Sequence, residues 1–322
     1  MHDLIIAPEQ LPGAALTEAD VESVLGYAKN ATAASTRAAY EADQTAFAAW
    51  CAARGACPLP ASPAVVAAYL AHLADTGRRA AGIGRAAAGI AWHHRQAGID
   101  PSPTAHEGVK QTMRGIRRSI GSAKQGKAAA THDIIGKMLA AAPNNTIGVR
   151  DKALLCLCFA GALRRSELVA LDVEDLCRVP DGIRLQVRRS KTDKYGEGTE
   201  LPIPHGTILR PVECIDAWLA VSGITTGALF RAVKLGGKIS DERLTSGSFA
   251  RVVKLYIERI GGLDPAVFSG HSLRSGFLTS SAESGTSLIR LADHSRHTSL
   301  DTLRGYVRRV DMWKNHPGHH IL

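Results

Sequence analysis

Apolar residues recur at helical spacing through the first 120 positions, in short runs separated by turn signals. Thr17 followed by Glu18 and Asp20 predicts an N-cap with acids in the first turn, where they complement the helix dipole. A second helix is predicted from about Ser35, with Tyr40, Phe47 and Trp50 on one face. Ser62 and Pro63 read as a cap with proline at the first helical position, opening a helix through Leu73. Helices over 80–96 and 104–120 follow, with Gly98 and Pro101 breaking the chain between them. Residues 1–120 therefore read as one all-helical domain rich in alanine.

Residues 121–130 (GSAKQGKAAA) are small, polar and basic, which predicts an interdomain linker; continuation of the preceding helix is the alternative. From Thr131 the pattern is mixed. Helices are predicted near 131–142, 148–160, 164–170, 211–221, 245–261, 272–284, 286–292 and 299–308. Between Gly182 and Arg189, Ile183, Leu185 and Val187 alternate with polar residues, as a half-exposed strand does. A turn over 194–198 and a return strand over 199–203 complete a hairpin. The class is thus multidomain and mainly α, with an α+β second domain over 131–322 carrying a small antiparallel sheet.

A chain of 322 residues can bury two separate cores. With no apolar run of about 18 residues, no membrane span is expected. Met1 to Gln10 lack a basic start and a long apolar core, so a signal peptide is not expected either. None of the six cysteines forms a CxxC pair, and Cys156 and Cys158 fall in the apolar run 153–159 as small buried thiols. A reduced cytoplasmic compartment fits that usage.

Charge changes the picture more. The net charge is +9, yet residues 1–77 hold eight acids and three bases. Residues 78–127 hold ten bases against Asp100 and Glu107: Arg78, Arg79, Arg85, Arg95, Lys110, Arg114, Arg117, Arg118, Lys124 and Lys127. Such a basic segment is an electrostatic footprint for nucleic acid, with a solvated helix face as the plainer alternative. Lys124 and Lys127 would suit a strap along a DNA backbone.

The candidate chemistry is dispersed: Arg164 with Glu167, then Lys191, His271 with Arg274, His297 and Tyr306. Arg164 and Glu167 are three apart at a helix start, so Glu167 can buttress the arginine, although an ordinary surface pair has the same spacing. His271 and Arg274 share one helical turn and can reach one phosphate. His297 and Tyr306 are nine apart and would lie on opposite faces of a continuous helix. They can meet only if His297 precedes the helix that carries Tyr306, and Thr298 and Ser299 supply the caps for such a break. Lys191 sits on a predicted hairpin loop, where a lysine is usually only solvated but can also dip towards a leaving oxygen. Neither His93-His94 nor His316, His319 and His320 have partners at metal spacing, so no metal site is expected, and Gly236-Gly237-Lys238 reads as a turn. Cations and imidazoles around one phenol suit attack on a phosphodiester without a metal.

In this order and spacing, the boxes Leu163-Arg164-Arg165-Ser166-Glu167-Leu168, His271-Ser272-Leu273-Arg274-Ser275-Gly276 and His297 through Leu303 to Tyr306 resemble those of the tyrosine recombinase (phage integrase) family. Ser35-Thr36-Arg37 with Tyr40, Asp43, Phe47 and Trp50 resembles its core-binding domain. The resemblance covers nearly the whole chain. It implies a SAM-like helical core-binding domain before a catalytic domain with the DNA breaking-rejoining enzyme fold. It also implies a 3′-phosphotyrosyl intermediate on Tyr306. Arg164 and Arg274 would clamp the phosphate and His297 donate to it, with Lys191 as general acid and His271 assisting proton transfer. Neither cofactor nor metal is implied. Partners would be double-stranded DNA sites and further copies of the chain, a tetramer joined through the tail 307–322, acting in the cytoplasm at the nucleoid. With about sixteen residues before the first helix, the expectation is the simple Cre-like or Xer-like type without an arm-binding domain. A type IB topoisomerase or a non-catalytic DNA-binding protein are the competing readings. The former would relax DNA as a monomer, and the latter has no need of the phenol.

Overall fold

The computed structural model describes residues 17–122, 126–188, 197–234, 236–297, 299–301 and 303–305. The chain divides into two compact units, Met1–Gln125 and Gly126–Leu322.

The first unit consists, among the described residues, of α1 (Glu18–Asn30), α2 (Ala34–Ala52), α3 (Pro63–Asp75), α4 (Ala80–Gln96) and α5 (Glu107–Ile120). Local chemistry sets several starts. The Thr17 hydroxyl accepts from the Asp20 amide while the Asp20 carboxylate accepts from the Thr17 amide, a reciprocal capping box. Ser62 caps α3 with Pro63 at its first position. The helix predicted from 104 begins at Glu107, because Pro103–Ala105 form a separate 3₁₀ turn and His106 caps α5 through its Nδ1. Phe47, Tyr69, Leu70, Ile83, Ile90, Val109, Met113 and Ile116 make the core. His94 belongs to it: its Nε2 accepts from the Ala61 amide at 3.0 Å and its Nδ1 donates to the Ile90 carbonyl at 2.8 Å. Both nitrogens of this histidine are therefore used structurally.

The second unit runs α6 (His132–Ala140), α7 (Thr146–Ala160), α8 (Arg165–Ala170), β1 (Leu176–Val179), β2 (Gly182–Val187) and β3 (Thr199–Pro204). It continues with α9 (Pro211–Ser222), β4 (Arg231–Val233), β5 (Ile239–Arg243), α10 (Ser246–Ile260), α11 (His271–Glu283) and α12 (Leu288–Ser295). Helical backbone resumes at Leu300. β1, β2 and β3 form an antiparallel sheet in that order, with Ile183 opposite Ile203 and Leu185 opposite Leu201. Ile183, Leu185 and Val187 face the core while Arg184 and Gln186 face out, as the alternation of β2 requires. The edge strand β1 and the hairpin of β4 and β5 go beyond the predicted pair of strands; Gly236 and Gly237 turn that second hairpin with φ of 86° and 83°.

α7 is the central helix, buried on every side from Ala153 to Phe159. Cys156 and Cys158 are accordingly fully buried. The linker predicted over 121–130 is in part structural. The Ala128 amide donates to the Val267 carbonyl and the Ala130 amide to the Ser272 carbonyl, pinning this stretch onto the second unit. Among the described residues no helix is long and apolar enough to cross a membrane.

Candidate active site

The site is assembled from three segment ends. α7 stops at Ala160, and the chain turns through Gly161 and Ala162, whose φ of 44° is left-handed. Buried Leu163 anchors the exit, and Arg164 follows as the residue that opens α8. Glu167 lies one turn on and is 4% exposed, so its charge must be paired. It is: Oε1 accepts from Arg164 Nη1 at 2.7 Å, and Oε2 accepts from the Arg164 amide at 2.9 Å and from Arg296 Nη2 at 2.8 Å. The buttress predicted for Glu167 is present, and it holds a second arginine as well. The remaining side-chain donors of Arg164 have no partner among the described residues.

The second segment is the start of α11. His271 and Arg274 share its first turn, where the Ser269 amide donates to the Ser272 hydroxyl oxygen at 2.9 Å. Arg274 is buried and ties the other two segments together. Its Nη1 donates to the Ala162 carbonyl at 2.7 Å, and its Nη2 donates to the Ser295 carbonyl and lies 3.4 Å from both ring nitrogens of His297. Gly276, two residues on, faces the Ala130 carbonyl so closely that a side chain would have no room.

The third segment is the end of α12. Arg296 terminates it with φ 56°, and the His297 amide donates back to the Ala292 carbonyl. His297 thus stands outside α12 and before the helical backbone that begins at Leu300, which is the break that the nine-residue spacing demanded. Two of the three non-glycine residues with left-handed backbone among the described residues, Ala162 and Arg296, are in this site. Each such conformation costs about 1–2 kcal/mol. Arg274 offsets that cost by bonding the carbonyl of one turn and the carbonyl just before the other.

The Ser295 hydroxyl donates to the Leu291 carbonyl, so its oxygen accepts from His297 Nδ1 at 2.6 Å. That orients the ring and leaves Nε2 as its available nitrogen. Burial, then the Arg274, Arg164, His271 and Arg296 charges, push the His297 pKa down to about 4. Burial, then Arg274 and Arg164, also push His271 down. Both imidazoles are therefore biased towards the neutral form in the free protein. Arg164 and Arg296 share the single Glu167 carboxylate, and Arg274 adds a third guanidinium to the same cluster, so the excess positive charge suits an anion.

Lys191 and Tyr306 lie outside the described residues, as do Lys124 and the tail 307–322. The structure brings Arg164, Glu167, His271, Arg274 and His297 together. It places the basic residues of the first unit apart from them in sequence and all on exposed positions: Arg78 and Arg79 before α4, Arg85 and Arg95 on it, and Lys110, Arg114, Arg117 and Arg118 on α5 opposite Val109, Met113 and Ile116. Arg85 pairs with Asp43 at 2.8 Å and Arg114 with Glu107. Lys127, in the second unit, donates to the Ala266 carbonyl at 2.7 Å, so its ammonium is already engaged there rather than loose on a strap. Sequence reasoning passed over Arg296 and Ser295. The available signal was a second cation directly before His297 at the end of an amphipathic helix.

Residues 129–312 match the model of the phage integrase family. An integrase/recombinase xerD homolog from Selenomonas ruminantium is 33% identical over 285 residues, 87% of this chain and 83% of the relative. A tyrosine recombinase XerC from Pelotomaculum thermopropionicum is 27% identical over 251 residues, 74% of each chain. Among solved structures, the Tn1549 transposon integrase in complex with transposon right end DNA aligns over 90% of this chain and 96% of its own, with a TM-score of 0.61 and 14% identity. A lambda integrase dimer bound to a COC′ core site aligns over 89% and 92%, with a TM-score of 0.59 and 20% identity. The likeness to these two structures is one of fold.

Proposed function

This chain belongs to the phage integrase family and is a site-specific tyrosine recombinase of the Xer type; from that premise we propose how its residues divide the work of cleaving and rejoining DNA. The observation that carries the assignment is the cluster of Arg164, Arg274, His271 and His297 at the junction of three segments, with Arg164 held by the buried Glu167 carboxylate.

The Tyr306 phenolate attacks the scissile phosphorus, forming the phosphotyrosyl bond as the P–O5′ bond breaks. Arg164, whose free donors stand beside a guanidinium held by Glu167, bonds a non-bridging oxygen, and Arg274 contributes its charge from behind. His271 takes the phenol proton. Its neutral form is the one that can do so, and burial beside two arginines favours that form. His297, oriented by Ser295, bonds the phosphate through Nε2, whose protonation the bound anion promotes. Lys191 gives a proton to the departing 5′ oxygen. Religation reverses each transfer, and the phosphodiester energy stays in the covalent link.

Lys191→Ala is expected to slow cleavage of ordinary DNA by about 10²–10⁴-fold, the usual worth of a general acid. A 5′-bridging phosphorothiolate, whose thiolate leaves without a proton, should restore the rate. A variant equally slow on both substrates would remove Lys191 from that role.

The first unit, with Arg78, Arg79, Arg85, Arg95, Lys110, Arg114, Arg117 and Arg118 exposed, would supply phosphate contacts as a core-binding domain. Lys124 would extend them, and the second unit would be catalytic. Copies would assemble as a tetramer on paired sites in the cytoplasm at the nucleoid, joined by the tail 307–322. Deleting that tail is expected to leave single-site binding and its salt dependence intact while recombination of paired sites falls at least about tenfold. Full recombination would take assembly away from the tail, and a shallower salt slope would move phosphate contacts onto it.

A further inference from the structure

Arg296 is expensive where it stands. It holds a left-handed backbone that glycine would adopt without strain, at φ 56°. Its side chain is 6% exposed, and its Nε has no hydrogen-bond partner among the described residues. A buried guanidinium with an unmet donor lowers stability, and burial accordingly depresses its pKa. Stability alone would favour a glycine here. What the guanidinium supplies is a link: Nη2 reaches Glu167 Oε2 at 2.8 Å across 129 residues of sequence, and the same carboxylate holds Arg164 through Oε1.

We propose that Arg296 is a positioning residue for strand cleavage, locking the Glu167 carboxylate so that Arg164 and His297 are held in register. Glu167 bonds the Arg164 side chain with one oxygen and shares the other between the Arg164 amide and Arg296. Without Arg296 the carboxylate keeps its charge and its two bonds from Arg164 but loses the ion pair that ties it to the turn before His297. Arg164 is then freed to rotate with it. Arg296 also precedes His297 directly, so one residue sets both the path of the backbone into the histidine and the seat of the distant arginine. Arg274 joins the same two turns through their carbonyls, whereas Arg296 adds the ion pair at 2.8 Å to longer bonds, at 3.4 Å, with the Gly161, Ala162 and His294 carbonyls. The proposal rests on Arg164 and His297 being groups that hold the scissile phosphate.

The test is single-turnover cleavage of a nicked duplex carrying the sequence to which the wild-type protein becomes covalently linked. Absence of a wild-type adduct would overturn the functional reading itself. With a wild-type adduct in hand, Arg296→Gly keeps the left-handed turn and removes only the side chain. It is expected to melt no lower than wild type and bind the duplex within about twofold, yet cleave about 10–100-fold more slowly, the scale of a small misplacement of a reacting group. Arg296→Lys should recover part of that loss. Because the effect runs through the carboxylate, Glu167→Gln combined with Arg296→Gly should cleave no more slowly than Glu167→Gln alone. Wild-type cleavage by Arg296→Gly, or losses that multiply in the double variant, would overturn the role. If Arg296→Gly does not fold, the same cycle run with Arg296→Lys decides it by the same criterion.

Discussion

Replacing Tyr306 with phenylalanine is expected to abolish the detergent-stable protein–DNA adduct, by about 10⁴-fold or more, while leaving affinity for DNA within a few-fold of wild type. The substitution removes one oxygen and keeps the ring, so loss of cleavage cannot be attributed to lost packing. A nucleophile that forms a covalent intermediate has no substitute in the site, and its removal costs nearly the whole rate enhancement. The assignment draws on His297. On an unbroken helix the two residues would lie about 180° apart, nine steps of about 100° each. α12 instead ends at Ser295, Arg296 reverses the backbone, and helical backbone resumes only at Leu300. The histidine therefore stands at the entrance of the segment that leads to Tyr306. An adduct that persists in the phenylalanine variant, mapped by peptide mass, would assign the nucleophile to another residue.

Gly276→Ala is the second large effect, and it acts on stability. A methyl group at Gly276 would lie 1.7 Å from the Ala130 carbonyl oxygen and 2.2 Å from its carbon, both backbone atoms. The Ala130 stretch cannot simply retreat, because its amide is bonded to the Ser272 carbonyl at 2.9 Å. Either that hydrogen bond or the seating of α11 must give way. A loss of about 3 kcal/mol or more is expected from denaturant unfolding. Cleavage should fall with it, since Arg274 is on the displaced turn. Gly136→Ala, in α6 with nothing within 4 Å, is the control, expected to be neutral or to stabilise by up to about 1 kcal/mol. A Gly276→Ala protein as stable as wild type would mean that the 126–130 segment does not pack against α11 in solution.

Much of this architecture is legible in local chemistry. The Thr17 and Ser62 caps, the alternation of Ile183, Leu185 and Val187, and the apolar stretch of α7 each carry their structure within a few residues. β1 was not legible. Its inner residues Cys177 and Arg178 are exposed and its ends only half-buried, so no alternation marks an edge strand paired on one side. The hairpin of β4 and β5 was hidden for another reason. Arg243 anchors it by donating to the Val169 and Leu171 carbonyls and pairing with Asp172, more than seventy residues away. No local window contains that information. The boundary between the two units falls within 121–130, whose small polar composition is that of a linker, but composition does not tell that two amide hydrogen bonds to Val267 and Ser272 fasten residues 128–130 to the second unit.

The site divides along the same line. Residue type and spacing were enough to single out Arg164, His271, Arg274 and His297, to pair Arg164 with Glu167 and to require a helix break after His297, because each is a statement about positions within a few turns of one another. Packing alone decided that Arg274 is buried on the carbonyls of two left-handed turns, that Ser295 orients the His297 ring, and that Glu167 is shared with Arg296. Those bonds join residues up to 129 positions apart, or depend on how two chain turns are packed against one buried side chain. Order along a chain carries the inventory of a site; the distances and protonation states that make it act arise only when its distant segments share one low-dielectric volume.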